Sequence, residues 1–414
     1  MNFAMRLRRA ALGFLTITVA ACTSAAPAPA PSPSPRATSR TVIVIGFDGF
    51  ARRYLDSDSA PTLHAIAREG VSASHGMIPS FPTVTFPNWY AMATGLYPDH
   101  SGIVNNRFYD PAYADEFIYK NAIAHEAHWW GGEPIWVTAT KQGTLVGMMF
   151  WVGSDAPIMG VRPAHWHSYD HAIPFSARID TLLSWIDLPP GKRPRLLMGY
   201  FEEPDTQGHI HGPDAPETRA AVLRVDSALA QLTAGLRART LYDSVDIVIV
   251  SDHGMAAISP ERRVYLDDYV DSANVNVVNM SPNLMIGARD GNDDALLARL
   301  AKMPHLKVWK KAGAPARLHY GANPRIPPIV GIIDDGWMIE WRHGKPYDGG
   351  GEHGYDNADS DMRALFLARG PDFKPGVSID PFPNVDVYDL IARLLGITPV
   401  TNDGALAPFA PVLR

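Results

Sequence analysis

Apolar residues in this chain occur in short continuous runs, and several of these runs end directly in acidic residues or histidines. The first run, TVIVIGFDGF, begins at Thr41 and passes from β-branched residues to Gly and Asp. Three later runs are also strongly apolar, in the segments RPRLLMGYFEEPDTQGHIHG, SVDIVIVSDHG and MRALFLARG. Continuous apolar runs of this length are typical of strands that are buried on both faces of a sheet. The pattern therefore predicts four core strands.

Helical segments lie between these runs, namely APTLHAIAREG, APETRAAVLRVDSALAQLTAGLRAR and VDVYDLIARLLG, the last with apolar residues at helical spacing. Strands that alternate with helices predict an α/β fold in which helices sandwich a mostly parallel central sheet. In such sheets, ligands bind beyond the carboxyl ends of the strands. The acids and histidines that follow the apolar runs are expected at that edge.

Two regions fit this alternation poorly. Residues 107–170 are crowded with aromatic residues, and residues 260–345 carry many Asn and Pro residues between short strand-like runs. Aromatic clusters are more often core than ligand-binding walls, but the Gly and Pro content here favours loops. We interpret both regions as loop-rich insertions over the active-site edge.

The beginning of the chain predicts export rather than a folded domain. Residues 1–22 have a basic start and an apolar stretch that is short for a membrane span, and they end in a lipobox-like sequence at Cys22, the single cysteine. A lone cysteine in an exported chain has no internal disulfide partner, so a lipid anchor on Cys22 is predicted, with an incidental cysteine as the alternative. Residues 23–40 are rich in Pro, Ala and Ser and predict an extended linker, which leaves 41–414 as the catalytic domain. The predicted location is the bacterial periplasm or cell surface.

Size and charge restrict the kind of function. A chain of 414 residues with 46% hydrophobic residues has ample material for a large core. Lys and Arg total 37 against 43 Asp and Glu, and there is no long basic run outside the N-terminus. Binding to a nucleic-acid duplex through phosphate neutralisation is therefore not expected.

Thr85 lies at a predicted helix start. The segment PSFPTVTFPNWYAMATGLYPDHSGIVNN places a proline on each side of Thr85, and helix-compatible residues follow. A helix N-terminus offers unpaired N–H groups and a positive dipole end, which suit a phosphoryl group. The alternative at this point is an ordinary threonine in a turn.

Six acidic residues and histidines form a candidate metal set. Asp205 and His209 are four residues apart, so a helical turn would direct both to one ion. The others follow strand ends or lie in GGGEHGYDN, so that the full set is Asp48, Asp205, His209, Asp252, His253 and His353. Mixed imidazole and carboxylate ligands favour Zn²⁺, with Mn²⁺ or Co²⁺ as alternatives, and the set is large enough for two ions. Other histidines, including His165, His167 and His211, remain outside it.

The sequence resembles the nucleotide pyrophosphatase/phosphodiesterase family of the alkaline phosphatase superfamily. The motifs that carry the resemblance, in chain order, are GFDGF, PTVTFPNWYAMATGLYPDHSGIVNN, WWGGEPIWVTATKQG, YFEEPDTQGHIHGPD, VSDHGM, DDGW and GEHGYDNADSDMRALFLARGPDFKPG. They span most of residues 42–376. The resemblance implies an alkaline-phosphatase-like fold and hydrolysis of phosphodiester and pyrophosphate bonds in nucleotides through a phosphothreonyl intermediate, with release of nucleoside monophosphates.

The resemblance also implies roles for individual residues. Thr85 would be the nucleophile, Asn106 would bond a phosphate oxygen, and Phe86 and Tyr200 would sandwich the nucleobase. Two Zn²⁺ ions per chain are implied, and their ligands divide into one set of Asp48, Thr85, Asp252 and His253 and another of Asp205, His209 and His353.

Three other functions compete with this one. A lysophospholipid or choline-type phosphodiesterase of the same family would use identical metal ligands. A phosphomonoesterase typically carries a serine nucleophile and a cationic group, and no Arg lies near Thr85 in the sequence. A non-catalytic zinc-binding lipoprotein would need no nucleophile. A sulfatase is not expected, because TFPNW lacks both the Cys or Ser and the Arg of the sulfatase pattern.

Overall fold

The structure, a computed structural model, describes residues 40–414. The predicted signal segment 1–22, its Cys22, and residues 23–39 of the predicted linker lie outside the described residues. The helices of the described part are α1 (Pro61–Glu69), α2 (Thr85–Thr94), α3 (Pro98–Ser101), α4 (Ile135–Lys141), α5 (Phe175–Ile186), α6 (Asp205–His211), α7 (Pro216–Ala238), α8 (Asp293–Leu300) and α9 (Asp386–Leu395).

The strands of the same part are short, as is usual in globular proteins. They are β1 (Val42–Phe47), β2 (Val71–Ala73), β3 (Arg107–Asp110), β4 (Asp115–Ile118), β5 (Val146–Met149), β6 (His165–His167), β7 (Leu196–Phe201), β8 (Asp246–Val250), β9 (Ala256–Ala257), β10 (Arg263–Tyr265), β11 (Val275–Asn279), β12 (Asn283–Ala288), β13 (Leu306–Lys310), β14 (Ile329–Ile333), β15 (Met338–Glu340), β16 (Gly351–Glu352), β17 (Phe366–Arg369) and β18 (Val377–Ile379).

The central sheet has the strand order β18-β2-β17-β8-β1-β7-β5-β6. Its neighbouring strands are parallel except where β17 runs antiparallel to β8 and β2. The predicted α/β fold with a mostly parallel sheet is therefore confirmed. The run MRALFLARG does form a core strand, but it is the antiparallel one.

Strands β1, β7 and β8 end level with one another. The register runs from Val42 opposite Leu196 to Phe47 opposite Phe201, and Gly46 lies opposite Val250. Because the three strands are parallel, the residues that follow them meet at one edge of the sheet. This register brings the acids and histidines of three separate chain segments together.

Helices cover both faces of the sheet. Successive side chains of β1 alternate between two buried cores: Val42 and Val44 pack in a core that includes residues of α2, α4 and α9, while Ile43 and Ile45 pack in a core that includes residues of α1, α5 and α7. Both faces of β1 are buried, which explains its continuous apolar run. The predicted helices over residues 60–70, 215–239 and 385–396 are present as α1, α7 and α9.

The interpretation of residues 107–170 as an insertion was wrong in part, because β5 and β6 belong to the central sheet. The glycine content was misleading: a Cβ at Gly147 would lie 2.8 Å from the Trp185 ring, so this glycine serves close packing inside a strand rather than a turn. Trp129 and Trp136 are fully buried. The strands of region 260–345 lie outside the central sheet. Four of them form an antiparallel sheet, β11-β12-β14-β13, with α8 packed on it.

No helix within residues 40–414 is long and apolar enough to cross a membrane.

Candidate metal centre and substrate cavity

The end of β1 and the start of α6 are in direct contact. The Asp205 backbone N–H donates to the Asp48 carbonyl at 3.0 Å. Gly49 lies between them with φ at +63°, and a Cβ there would meet the Asp205 Cα at 2.8 Å. Glycine is required for both reasons, since other residues are strained at this φ and no space remains for a side chain.

Asp205, His209 and His353 form one cluster, which we call the Asp205 group. The Asp205 Oδ1 lies 3.5 Å from the His209 Nε2 and 3.6 Å from the His353 Nε2. Asp205 and His209 are in the same helix α6, so the predicted helical spacing is confirmed. His353 follows β16.

Asp48, Asp252 and His253 form a second cluster, the Asp48 group, and all three are buried. The His253 Nε2 lies 3.0 Å from the Asp252 Oδ2 and 3.5 Å from the Asp48 Oδ1. The His253 and His353 rings stack with centroids 3.6 Å apart, so the two groups adjoin.

The hydrogen bonds of His253 and His353 leave the Nε2 of each ring for a metal. The Nδ1 of His253 lies 2.9 Å from the Gly254 carbonyl, and that of His353 lies 2.9 Å from the Thr83 carbonyl. Because a carbonyl only accepts, each Nδ1 carries a proton, and in the neutral ring the lone pair is therefore on Nε2. Against the opposing effect of burial, Asp252 and Asp48 raise the pKa of His253 to about 10, so a cation bound there would take the place of the Nε2 proton. A neutral imidazole that presents an Nε2 lone pair is a metal ligand.

The carboxylates supply the matching oxygens. Asp48 Oδ1, Asp205 Oδ1 and Asp252 Oδ2 are buried and have no hydrogen-bond partner among the described residues. Buried polar atoms normally have partners, so three orphaned oxygens at one place indicate a cation. Burial, and then Asp252 and Asp205, raise the pKa of Asp48 well above its usual range. A bound cation would offset this crowding of negative charge.

The distances also fit zinc. Within each group the measured nitrogen–oxygen separations are 3.0 to 3.6 Å. A tetrahedral site with ligand bonds near 2.1 Å has edges of about 3.4 Å. The two groups therefore match the donor atoms and the dimensions of zinc sites.

Thr85 is the first residue of α2, as the sequence pattern predicted. Its Oγ1 lies 3.4 Å from the His253 Nε2, beside the Asp48 group. Asn106 is close by, and its Oδ1 accepts the Phe86 backbone N–H at 2.8 Å. This contact leaves the Asn106 amide NH₂ as a donor for a substrate oxygen.

A cavity of about 740 Å³ opens over these residues. Thr85, Asn106 and residues of both groups line it, together with aromatic side chains. Lys120 is the only lysine or arginine among its lining residues. The cavity is within the size range of small-molecule sites.

The two predicted base-stacking residues have different surroundings. Phe86 contacts an aromatic cluster that includes Tyr119 and Trp130. Tyr200 lines the cavity, but its hydroxyl donates to the Asp48 Oδ2 at 2.6 Å and its ring packs edge-on against Trp89. Tyr200 is thus tied to the Asp48 group as well as to the cavity.

Sequence reasoning missed three residues at this site. Tyr169 lines the cavity with 46% of its surface exposed, and its aromatic neighbourhood HWHSYD was the available signal. Glu352 Oε1 lies 3.7 Å from the His209 Nδ1, and the Tyr347 hydroxyl lies 2.9 Å from the same nitrogen. No sequence pattern marked Tyr347.

Among the histidines left out of the metal set, His165 and His167 stack on Trp185. His211 is exposed at the end of α6. None of the three belongs to either group.

Comparison with known proteins places these features in a family. The sequence model of the family described as type I phosphodiesterase/nucleotide pyrophosphatase matches residues 42–356. Bovine (Bos taurus) ectonucleotide pyrophosphatase/phosphodiesterase family member 3 is 37% identical over 375 residues, covering 88% of this chain and 43% of the relative. Human (Homo sapiens) family member 1 is 36% identical over 376 residues, covering 87% and 40%. The chain thus spans less than half the length of these curated relatives.

Solved structures agree with this assignment over more of their length. Murine ectonucleotide pyrophosphatase/phosphodiesterase 5, as an inactive threonine-to-alanine variant in complex with AMP, superposes with a TM-score of 0.87 at 32% identity. The match covers 91% of this chain and 100% of the murine one. The chain therefore belongs to the type I phosphodiesterase/nucleotide pyrophosphatase family, and it shares the fold of that murine member.

Proposed function

We propose that this chain hydrolyses phosphodiester and pyrophosphate bonds in nucleotides and releases nucleoside monophosphates, with two zinc ions and a phosphothreonyl intermediate. One observation carries the proposal: the Thr85 hydroxyl lies at the N-terminus of α2 and beside the Asp48 group, while the Asp205 group adjoins it. A nucleophile beside one of two adjoining candidate cation sites suits in-line displacement at phosphorus.

The Asp48 group would hold one zinc ion and the Asp205 group the other. Zinc supplies Lewis-acid stabilisation of the attacking and leaving oxygens and lowers the pKa of a hydroxyl or water that it binds. Mn²⁺ and Co²⁺ accept the same donor set, so the choice of metal is part of the proposal.

Residues of the chain itself act as the nucleophile and stabilise the transferred phosphoryl group. The Thr85 hydroxyl gives up its proton to solvent, and its Oγ1 forms the new bond to phosphorus while the bond to the leaving oxygen breaks, which gives a phosphothreonyl ester. The Asn106 NH₂ and the positive dipole end of α2 stabilise the charge on the equatorial oxygens. Water then attacks the ester from the vacated side and regenerates the Thr85 hydroxyl.

Charge favours a diester over a monoester substrate. A phosphomonoester carries a second negative charge, which phosphomonoesterases neutralise with an additional cationic group. Lys120 is the only lysine or arginine among the cavity residues, and the Asp155, Glu202 and Asp205 carboxylates line the same cavity. This composition suits a singly charged phosphodiester.

The aromatic side chains of the cavity suit a nucleobase. Phe86 lies in one aromatic cluster, and Tyr169 contacts Tyr200 in another, with ring centroids 5.9 Å apart. We propose that Phe86 and Tyr200 hold the base as the resemblance implies, and that Tyr169 adds an exposed ring. The AMP complex of the murine relative is consistent with a nucleotide ligand here.

Metal removal and replacement of Thr85 test the proposal together. Chelation should abolish turnover of a nucleotide diester, and added Zn²⁺ should restore it. Thr85→Ala should lower kcat by at least about a thousandfold on every substrate while zinc content stays at two per chain, because the nucleophile is lost but both groups remain. Thr85→Ser should keep partial activity.

The comparison needs a nucleotide diester, a dinucleotide, a monoester and a lysophospholipid, with zinc content measured by elemental analysis. Full activity of verified metal-free protein would contradict the two-zinc mechanism. Turnover of the lysophospholipid alone would support the choline-type alternative, and turnover of the monoester alone would support a phosphomonoesterase. Absence of turnover in zinc-loaded protein would favour a binding lipoprotein.

We also propose that Cys22 carries a lipid anchor that holds domain 41–414 outside the bacterial cytoplasm. Cys22→Ser should block processing or release a soluble protein, and the catalytic domain should keep its activity. Membrane fractionation with an activity assay checks this, and unchanged attachment of the variant would contradict the anchor.

A further inference from the structure

Tyr347 contacts the Asp205 group from a loop that sequence analysis did not mark. Its hydroxyl lies 2.9 Å from the His209 Nδ1 and donates to the Gly351 carbonyl at 2.9 Å. Since the single hydroxyl proton is directed to Gly351, the oxygen accepts the His209 Nδ1–H. The His209 Nε2 then faces Asp205 with its lone pair.

The backbone of Tyr347 is itself fixed at both ends. Its N–H donates to the Glu340 Oε1 at 3.0 Å, and its carbonyl accepts from the Arg263 Nη2 at 2.6 Å. Arg263 and Glu340 are joined by a 3.0 Å contact, and their side chains are 12% and 8% exposed. They belong to the paired strands β10 and β15, so the clamp is built on regular structure.

Glycines allow this loop to approach α6. A Cβ at Gly349 would meet the His209 carbonyl at 2.4 Å, and one at Gly350 would meet the Gly212 nitrogen at 2.4 Å. The Gly350 N–H donates to the His209 carbonyl at 2.8 Å. The loop is therefore packed on the backbone of the ligand-bearing helix as well as on its side chain.

We propose that Tyr347 is a positioning residue for His209, and that the Arg263–Glu340 ion pair holds Tyr347 in place. The hydroxyl fixes the tautomer and the ring orientation of His209, so that its Nε2 is directed at the ion of the Asp205 group. The Asp48 group has no contact with Tyr347, so the effect is confined to one of the two ions. This inference rests on the proposed two-metal function.

The test uses the zinc-loaded chain and the Tyr347→Phe variant, which keeps the ring and removes the hydroxyl. Zinc retained per chain is measured by elemental analysis during dialysis against increasing chelator. Tyr242→Phe is the matched control, because it also removes a hydrogen-bonded hydroxyl, 2.5 Å from Glu69, without contact to either group. Thermal unfolding of the metal-free proteins checks that the folds are equally stable.

Tyr347→Phe should lose one of its two ions at a chelator concentration about tenfold lower than the wild type, and it should keep the other unchanged. Loss of such a hydrogen bond to a metal-binding histidine typically weakens metal affinity about ten- to a hundredfold. We expect the lower value because the Gly351 carbonyl, 3.2 Å from the His209 Nδ1, remains as an acceptor. Excess Zn²⁺ should restore most of the kcat. Glu340→Gln should also lower the chelator concentration at which the same ion is lost, by a smaller factor.

The outcomes separate this inference from the proposed function. A wild-type chain that does not bind two ions would contradict the two-metal function itself. Two ions with equal chelator resistance in wild type and Tyr347→Phe would overturn the positioning role alone. Equal loss of both ions, or an equal shift in Tyr242→Phe, would show a general effect on the fold and also overturn it. If Tyr347→Phe lowers the chelator concentration at which the ion is lost and Glu340→Gln does not, the proposed role of the Arg263–Glu340 ion pair is overturned.

Discussion

Single hydrogen bonds decide which atoms of this site face a metal. The Tyr200 hydroxyl donates to the Asp48 Oδ2, and the Trp89 indole N–H lies 3.3 Å from the same oxygen. These donors occupy one oxygen of Asp48 and leave the other, Oδ1, for the His253 side of the group. Tyr200 therefore connects the predicted base pocket to the predicted metal site.

Tyr200→Phe and Tyr169→Ala should separate these two contributions. Tyr200→Phe keeps the ring but removes a hydrogen bond to Asp48, so kcat should fall about tenfold on all diesters with little change in KM. Tyr169→Ala removes an exposed ring worth roughly 1–3 kcal/mol of base stacking, so KM for a nucleotide diester should rise by about 5- to 150-fold.

Steady-state kinetics on a nucleotide diester and on a small diester without a base check both variants. The small diester should be turned over equally well by Tyr169→Ala and wild type. If Tyr200→Phe raised KM for the nucleotide alone, Tyr200 would act only through the base and its bond to Asp48 would be unimportant.

The contact between the end of β1 and the start of α6 sets the distance between the two metal groups. Asp48 directly follows β1 and Asp205 begins α6, and Gly49 lies against Asp205 at positive φ. A side chain at this contact would displace the start of α6, and with it a ligand of the Asp205 group.

Gly49→Ala should therefore impair zinc binding and activity in addition to the stability lost through backbone strain. Gly143→Ala is the matched control, because Gly143 also has positive φ, +79°, but nothing lies within 4 Å of its Cβ position. Both variants should lose about 1 kcal/mol of stability from the left-handed conformation. Only Gly49→Ala should also lose zinc and more than tenfold in kcat, as elemental analysis and kinetics would show; equal behaviour of the two variants would contradict this.

At the scale of the whole molecule, one buried carboxyl links stability to pH. Asp246 begins β8, at the edge of the sheet opposite the metal groups; it is buried, and its Oδ2 has no partner among the described residues. Burial raises the pKa of Asp246 to about 7. Between pH 4 and 7 the unfolded chain has released this proton while the folded chain retains it, so this group lowers stability as the pH rises through that window.

Asp246→Asn removes the titration, so the variant should gain stability relative to wild type as the pH rises. Its free energy of unfolding, relative to wild type, should be about 2.6 kcal/mol more favourable at pH 8 than at pH 5. Urea unfolding of both proteins at each pH measures this, and metal binding contributes equally to the two. A difference that did not change with pH would contradict the assigned pKa.

The sequence by itself determined the main core elements and most of the candidate site. Buried strands β1, β7 and β8 were visible because both faces are apolar, and the six Asp and His residues stood out because they follow strand ends or lie in a glycine-rich motif. The helix start at Thr85 was visible from the flanking prolines. These are local signals, in which each residue is read against its near neighbours in the chain.

Only the tertiary structure decided how these parts are joined. The antiparallel direction of β17 and the place of β5 and β6 in the central sheet depend on strand pairing, which no single run encodes. Likewise, His209 meets Tyr347 138 residues away, and His353 meets Thr83 270 residues away. Such contacts form because distant segments pack against one another, and a hydroxyl or carbonyl that fixes an imidazole tautomer carries no pattern in the sequence around it.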